Sequence, residues 1–200
     1  MSAKLRLGIA GLHNQGREHV AATLDHPRFV LSAVADPDEG ELSWARSAVG
    51  AHLHLHRDAV GMIASGEIDA AVVALPHDLH AAVVDAAARY GVHLLKEKPL
   101  ARSLREAITM SSRMRAAGRV LCTGVQRRHH ATYVQLREAL RDTRVTSASI
   151  EMVVVPSGSG GTARLPAGDK MSFGPAAGCC SISAITRSTS HSSCSVRSTS

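Results

Sequence analysis

Short apolar runs alternate with amphipathic stretches from Lys4 to Thr123, and the alternation predicts the order of the elements. The runs "KLRLGIA", "FVLSAVA", "HLHL", "DAAVVAL", "VHLLK" and "RVLCT" read as strands. The segments between them, roughly 16–25, 39–48, 57–65, 78–90 and 103–117, are helical by composition and by apolar spacing. Runs such as "AAVVAL" are apolar almost throughout, as strands are when helices cover both faces of their sheet. The expectation is an α/β fold with a doubly wound parallel sheet. Met110 and Met114, one helical turn apart, belong to a core face. After Gly124 the rhythm changes: "ATYVQLREALRD" reads as a helix and "VTSASIEMVVVP" as a longer strand that opens a different sheet. A second domain therefore starts there, at 125–156. No repeat at solenoid spacing runs through the chain.

Composition narrows the function classes. The 200 residues are 44% hydrophobic and 20% charged, enough for one full core and part of a second. The net charge of +6 is spread along the chain, and only "QRRHH" at 126–130 forms a basic cluster. With one Trp, two Tyr and two Phe there is no stacking motif, so nucleic acid is not an expected partner. No apolar run approaches the roughly 20 residues of a membrane span, and "MSAKLRLGIAG" lacks the apolar core of a signal peptide. The expected compartment is the cytoplasm, with no membrane association. Of four cysteines, Cys122 sits in an apolar segment, whereas Cys179, Cys180 and Cys194 all fall near the C-terminus, so no disulfide framework is expected. His52, His54 and His56 alternate along a strand, but no acid or cysteine converges on them in the sequence. They read as a polar strand edge, and no metal site is expected.

Candidate chemistry lies at the carboxyl ends of the strands, where an open α/β sheet presents ligands. "GIAGLHNQGREH" joins the first strand to the first helix. Gly11 permits a tight turn and Gly16 a close helix, so that the helix N-terminus can face a diphosphate; His13 stands where the usual fingerprint has its middle glycine. A plain strand-turn-helix glycine pair has the same appearance. The second strand ends at Asp36, an acid placed to accept hydrogen bonds from ribose hydroxyls and to repel a 2′-phosphate, which favours NAD over NADP. Its other reading is a turn or N-cap before Pro37. The fourth strand runs into "LPHDLH", with Pro76 at the strand end, Asp78 suited to cap the next helix and His80 near its start. The fifth runs into "KEKPLA", where Lys98 can meet a nicotinamide ribose or a substrate oxygen, or simply sit in a solvated turn.

"LRLGIAGLHNQGREHV", "AVADPDE", "DAAVVALPHDLHAAVVDAAARYGVHLLKEKPLA" and "LCTGVQRRH", in this order and spacing, resemble the Gfo/Idh/MocA family of oxidoreductases, with "EKPLA" the most specific part. The resemblance covers about 1–155. It implies a Rossmann-type NAD(P) domain at 1–124, followed by an α+β substrate domain with a large open sheet. It also implies hydride transfer between a nicotinamide and the carbinol carbon of a sugar, polyol or related alcohol, with a homo-oligomer possible for the full-length form. By this likeness Gly11, His13 and Gly16 line the pyrophosphate, Asp36 the ribose, Pro76 and His80 the nicotinamide side, and Glu97 and Lys98 the cofactor and substrate edge. Lys98 is then the catalytic candidate, beside the reacting carbon.

The family's proton-transfer motif, D-x-G-x-H-x-x-D on a helix of the second domain, is absent from the sequence. Read with GC-rich codons that start one base earlier, "CCSISAITRSTSHSSCSVRSTS" becomes VLLDLGNHAVDLTQLVFGPFDL, which contains D-L-G-N-H-A-V-D. The expectation is therefore that 157–200 is out-of-frame translation without regular structure, shifted within "PSGSGGT". A genuine Ser-rich extension is the alternative. Either way the strand "ASIEMVVVP" is expected to lack its sheet, and catalysis to be impaired, leaving a non-catalytic dinucleotide-binding protein or an inactive product as the other functional reading.

Overall fold

Strand β1 (Leu5–Ala10) sends Leu7 and Ile9 into one apolar cluster and Ala10 into another, so both of its faces are covered. The computed structural model describes residues 3–143, 145–153, 179–186 and 193–197, the last three ranges by their backbone. The chain divides into two compact units, Met1–Val125 and Gln126–Ser200.

In the first unit, β1 is followed by α1 (Gln15–Leu24), β2 (Phe29–Ala35), α2 (Glu39–Val49), β3 (His54–His56), α3 (Ala59–Ala64) and β4 (Ala70–Val73). A 3-10 turn (His77–Leu79), α4 (His80–Tyr90), β5 (His93–Glu97), α5 (Leu104–Ala116) and β6 (Leu121–Gly124) complete it. The six strands pair in parallel in the order β3-β2-β1-β4-β5-β6, so the direction of winding reverses between β1 and β4. The doubly wound sheet expected from the apolar rhythm is thus present.

The two clusters divide the strands residue by residue. Val20, Leu42 and Ala45 of α1 and α2 pack with Leu7, Ile9, Leu31, Val34 and Val72. Met62, Val83, Val84, Met110 and Met114 of α3, α4 and α5 pack with Ala10, Ala33, Ala35, Ala71, Val73 and Leu94. In β2 the alternation skips at Ser32: Leu7 pairs with Leu31 but Gly8 with Ala33, so Ser32 is an extra residue and the faces change parity after it. Each fully buried Val, Leu, Ile or Met contributes about 1.5–3 kcal/mol relative to an exposed one, and both clusters combine such side chains with alanines that let helix and sheet approach.

Helix starts follow local chemistry. Asp38, Asp58 and Ser103 cap α2, α3 and α5 by accepting the amides of Gly40, Gly61 and Glu106. Asp78 does not cap α4 as expected. It lies inside the 3-10 turn that begins when the Leu79 amide bonds the Pro76 carbonyl, and α4 starts only at His80, without a side-chain cap.

The second unit holds a 3-10 turn (Gln126–His129), α6 (Ala131–Ala139), β7 (Val145–Val153), β8 (Cys179–Thr186) and β9 (Ser193–Arg197). The helix and the long strand lie where the sequence puts them. Within 157–200 the described residues are 179–186 and 193–197, and their backbone pairs with β7 in an antiparallel sheet of order β7-β8-β9; the remainder of the stretch expected to lack regular structure lies outside the described residues. "CCSISAIT" alternates small polar with apolar residues over part of its length, the period of a strand, whatever the origin of its codons.

Candidate functional site

β1 passes into Gly11, whose φ of +84° is left-handed and whose amide bonds the Ala35 carbonyl at 2.8 Å. A Cβ there would overlap the backbone carbonyl of Ala74, just beyond β4. A Cβ on Gly16, in the first turn of α1, would overlap the carbonyl oxygen of Gly11. Both positions demand glycine: one for its dihedral and its neighbour, the other because the helix lies against the turn. Asn14 before the helix also takes a positive φ of 37°, and no side chain caps α1. The result is a tight loop whose helix end carries free backbone dipole, the general form of an anion-binding N-terminus.

Asp36 is 3% exposed at the end of β2. Its Oδ2 accepts the Leu12 amide at 2.8 Å and its Oδ1 the Asp38 amide at 3.0 Å. It therefore ties the glycine loop to the strand end and shapes its own turn, while the N-cap of α2 is Asp38. His13 is exposed, with Nδ1 3.4 Å from Glu41 Oε1. Glu41, nearly buried at the start of α2, also accepts Arg17 through both carboxylate oxygens, and the Arg17 guanidinium lies 4.4 Å from the centre of the Trp44 ring. These contacts join α1 and α2 behind the loop.

The ends of β4 and β5 complete the edge. Pro76 is exposed. His80, only 1% exposed, points inward and donates Nε2–H to the Leu75 carbonyl at 2.9 Å. Burial, reinforced by the Lys96 charge, holds its imidazole below the ordinary histidine range, so it is neutral in the interior. Glu97 Oε1 accepts His19 Nε2 of α1 at 3.0 Å, and a Cβ on Gly124 would crowd the same oxygen at 3.1 Å. Lys98 is exposed and precedes a cis Lys98–Pro99 bond. Lys96 is fully buried and donates Nζ–H to the carbonyls of Pro99 at 2.7 Å and Leu100 at 2.6 Å.

Gly11 and Gly16 therefore shape one loop that Asp36 ties to the end of β2, and His19 links that loop's helix to Glu97. Pro76 and Lys98 are exposed at the same carboxyl ends, whereas His80 supports the Leu75–Pro76 segment from inside. Sequence reasoning missed His19, Glu41, Arg17 and Lys96. Only Lys96 carries a signal: it shares the strand parity of buried Leu94, which a lysine rarely does without partners. The histidine strand also gains an acid the sequence had hidden: His54 Nδ1 and His56 Nε2 lie 2.9 and 2.8 Å from the two carboxylate oxygens of Glu67, while His52 lies before the strand. Among the described residues no group of three side chains has metal-binding geometry, and no helix is long and apolar enough to cross a membrane. A groove of about 490 Å³ between α4 and α5, lined by Arg102, Glu106, Met110 and Arg113, contains none of the expected site residues.

Over 138 residues the chain is 32% identical to inositol 2-dehydrogenase 1 of Saccharopolyspora erythraea, covering 68% of this chain and 41% of that protein. It is 32% identical over 142 residues to dTDP-3,4-didehydro-2,6-dideoxy-alpha-D-glucose 3-reductase of Streptomyces antibioticus, covering 70% and 43%. The fold superposes with a TM-score of 0.67 and 20% identity on scyllo-inositol dehydrogenase from Lactobacillus casei, crystallised with NAD(H) and scyllo-inositol, over 75% of this chain and 45% of that one. The chain thus spans less than half the length of these relatives. Residues 5–125, with the glycine loop, Asp36 and the Glu97–Lys98 edge inside them, match the Gfo/Idh/MocA model, described as the oxidoreductase family with an NAD-binding Rossmann fold, and the chain belongs to that family.

Proposed function

We propose that the chain carries the cofactor half of an NAD-dependent dehydrogenase acting on a polyol or related sugar. The observation that carries this reading is the loop in which Gly11 and Gly16 leave no room for a Cβ and Asp36 holds the Leu12 amide. A backbone cradle of that kind fits a dinucleotide: the diphosphate lies over Gly11, His13 and Gly16 at the N-terminus of α1, and the adenosine ribose meets Asp36. Each oxygen of Asp36 accepts one amide and retains a lone pair for a ribose hydroxyl. Asp36 and Asp38 place negative charge at this strand end, while Glu39 and Glu41 are paired with Arg57 and Arg17, and the two aspartates disfavour a 2′-phosphate and make NAD the preferred cofactor.

Bound NAD supplies hydride transfer. Pro76 borders the nicotinamide side, and His80 acts through the turn it supports. Glu97, held by His19, and the exposed Lys98 stand at the cofactor and substrate edge, with the Lys98 ammonium available to a ribose or substrate oxygen. The relatives, inositol dehydrogenases and a deoxysugar reductase, support a polyhydroxylated ring as the substrate class. Proton transfer requires a general base, and the D-x-G-x-H-x-x-D pattern expected to supply it is missing from this sequence. Dinucleotide binding without turnover is accordingly the second reading.

Titration of the full chain with NADH, followed by fluorescence, tests the assignment. Saturable binding that weakens by about tenfold or more in Asp36→Ala is expected, the scale of lost hydrogen bonds to a charged acceptor. Binding unchanged by that substitution would sink it. Reduction of NAD in the presence of inositols separates the enzyme from the binder.

A further inference from the structure

Lys96 has no part in the roles argued so far, and its surroundings are unusual. Among the described residues its side chain is the largest of those almost wholly removed from solvent, and it leaves β5 on the buried parity beside Leu94. A buried ammonium is costly unless its donors are satisfied. Here two of three N–H groups bond the carbonyls of Pro99 and Leu100 at 2.7 and 2.6 Å. Those carbonyls belong to the two residues that follow Lys98. Among the described residues no carboxylate pairs directly with the charge; Glu106 of α5 acts on it at longer range, and His80 of α4 is the neutral group facing it. A leucine or valine would fill the same space at no electrostatic cost, so the lysine's distinctive contribution is the two carbonyl bonds.

We propose that Lys96 is a positioning residue of the dinucleotide site: by clamping the Pro99 and Leu100 carbonyls from beneath, it fixes the turn on which Glu97 and Lys98 are presented at the carboxyl edge of the sheet. The inference rests on the cofactor reading above. The polypeptide from 96 to 100 becomes a closed loop tied to its own strand, with Glu97 anchored on the other side by His19. Glu97 and Lys98 thus project from a segment held at both its flanks. Preorganisation of this kind conserves binding energy, because the groups meeting the ligand are ordered before it arrives.

The clamp serves one end of the cofactor and leaves the other alone. Gly11 lies against Ala74 and bonds Ala35, Gly16 lies against the Gly11 carbonyl and bonds that of His13, and Asp36 accepts the Leu12 amide; none of these contacts involves Lys96. NADH and ADP-ribose, which lacks the nicotinamide, therefore separate its effect from general destabilisation. In the full chain, Lys96→Met is expected to weaken NADH by about tenfold, the scale of one charge-assisted hydrogen bond, and to leave ADP-ribose within about twofold. Amide hydrogen exchange is expected to accelerate at 97–101 and to stay unchanged in β1 and β2. Lys96→Gln, which keeps a donor without the charge, is expected to fall between wild type and Met. Parallel loss of both ligands, or a lowered melting temperature with NADH affinity intact, would overturn the assignment and make Lys96 a purely structural residue. A wild-type chain that binds neither ligand would overturn the cofactor reading, and with it the positioning role; accelerated exchange confined to 97–101 in Lys96→Met would still identify the clamp itself.

Discussion

His80 connects burial to pH. Its ring is neutral because charging it would place a cation in the interior beside the Lys96 ammonium, and its one hydrogen bond goes to a backbone carbonyl. In the unfolded chain a histidine titrates near about 6.5, so below that pH the unfolded state takes up a proton that the folded state refuses. The stability associated with neutral His80 is therefore present above the unfolded pKa and is lost as pH falls from there toward the depressed folded value. Urea unfolding of wild type and His80→Gln at neutral and mildly acidic pH checks this. The glutamine amide can still donate to Leu75 but cannot titrate, so the acid sensitivity of the midpoint is expected to be smaller in the variant. Equal pH dependence in the two proteins would mean that other groups carry it.

At the scale of elements, caps give the cleanest contrast between a residue type and its use. Ser103 accepts the Glu106 amide at the start of α5, whereas Asp78, of equally good capping type, makes no cap bond because the 3-10 turn delays α4 by two residues. Ser103→Ala is expected to cost about 1 kcal/mol in urea unfolding, and Asp78→Ala to fall within about 0.5 kcal/mol of wild type. The same contrast explains what was legible in the sequence. The strands of the first unit could be read because doubly covered sheets impose unbroken apolar runs, and the glycine loop because left-handed turns and close helices require specific residues. The parity change at Ser32, the delayed start of α4 and the inward turn of His80 are consequences of packing that no local pattern records. His19–Glu97 and Glu67 between two histidines join residues 78, 13 and 11 positions apart, and only the fold brings them together.

For the molecule as a whole, the two units stand on different footings. The first has helices on both faces of a complete six-stranded sheet, with a closed core and the entire proposed dinucleotide site within Met1–Val125. The second begins with the helix and strand expected of a substrate domain, but the sequence that follows lacks the acid and histidine pattern that the family resemblance leads one to expect there. If the codons from the "PSGSGGT" run onward are displaced by one base, that pattern lies in the neighbouring frame. Sequencing the coding DNA through this run and expressing both frames tests the idea at the level of function. The present chain is expected to bind NADH without oxidising inositols, and the frame-corrected chain to bind it equally and to turn over. The rate difference is expected to be at least about 10²–10⁴-fold, the usual contribution of a general base, with the restored substrate pocket adding to it. Turnover by the present chain that depends on Lys98 would instead mean that the base comes from a residue already in this sequence, and the exposed edge beside Glu97 is where to look for it.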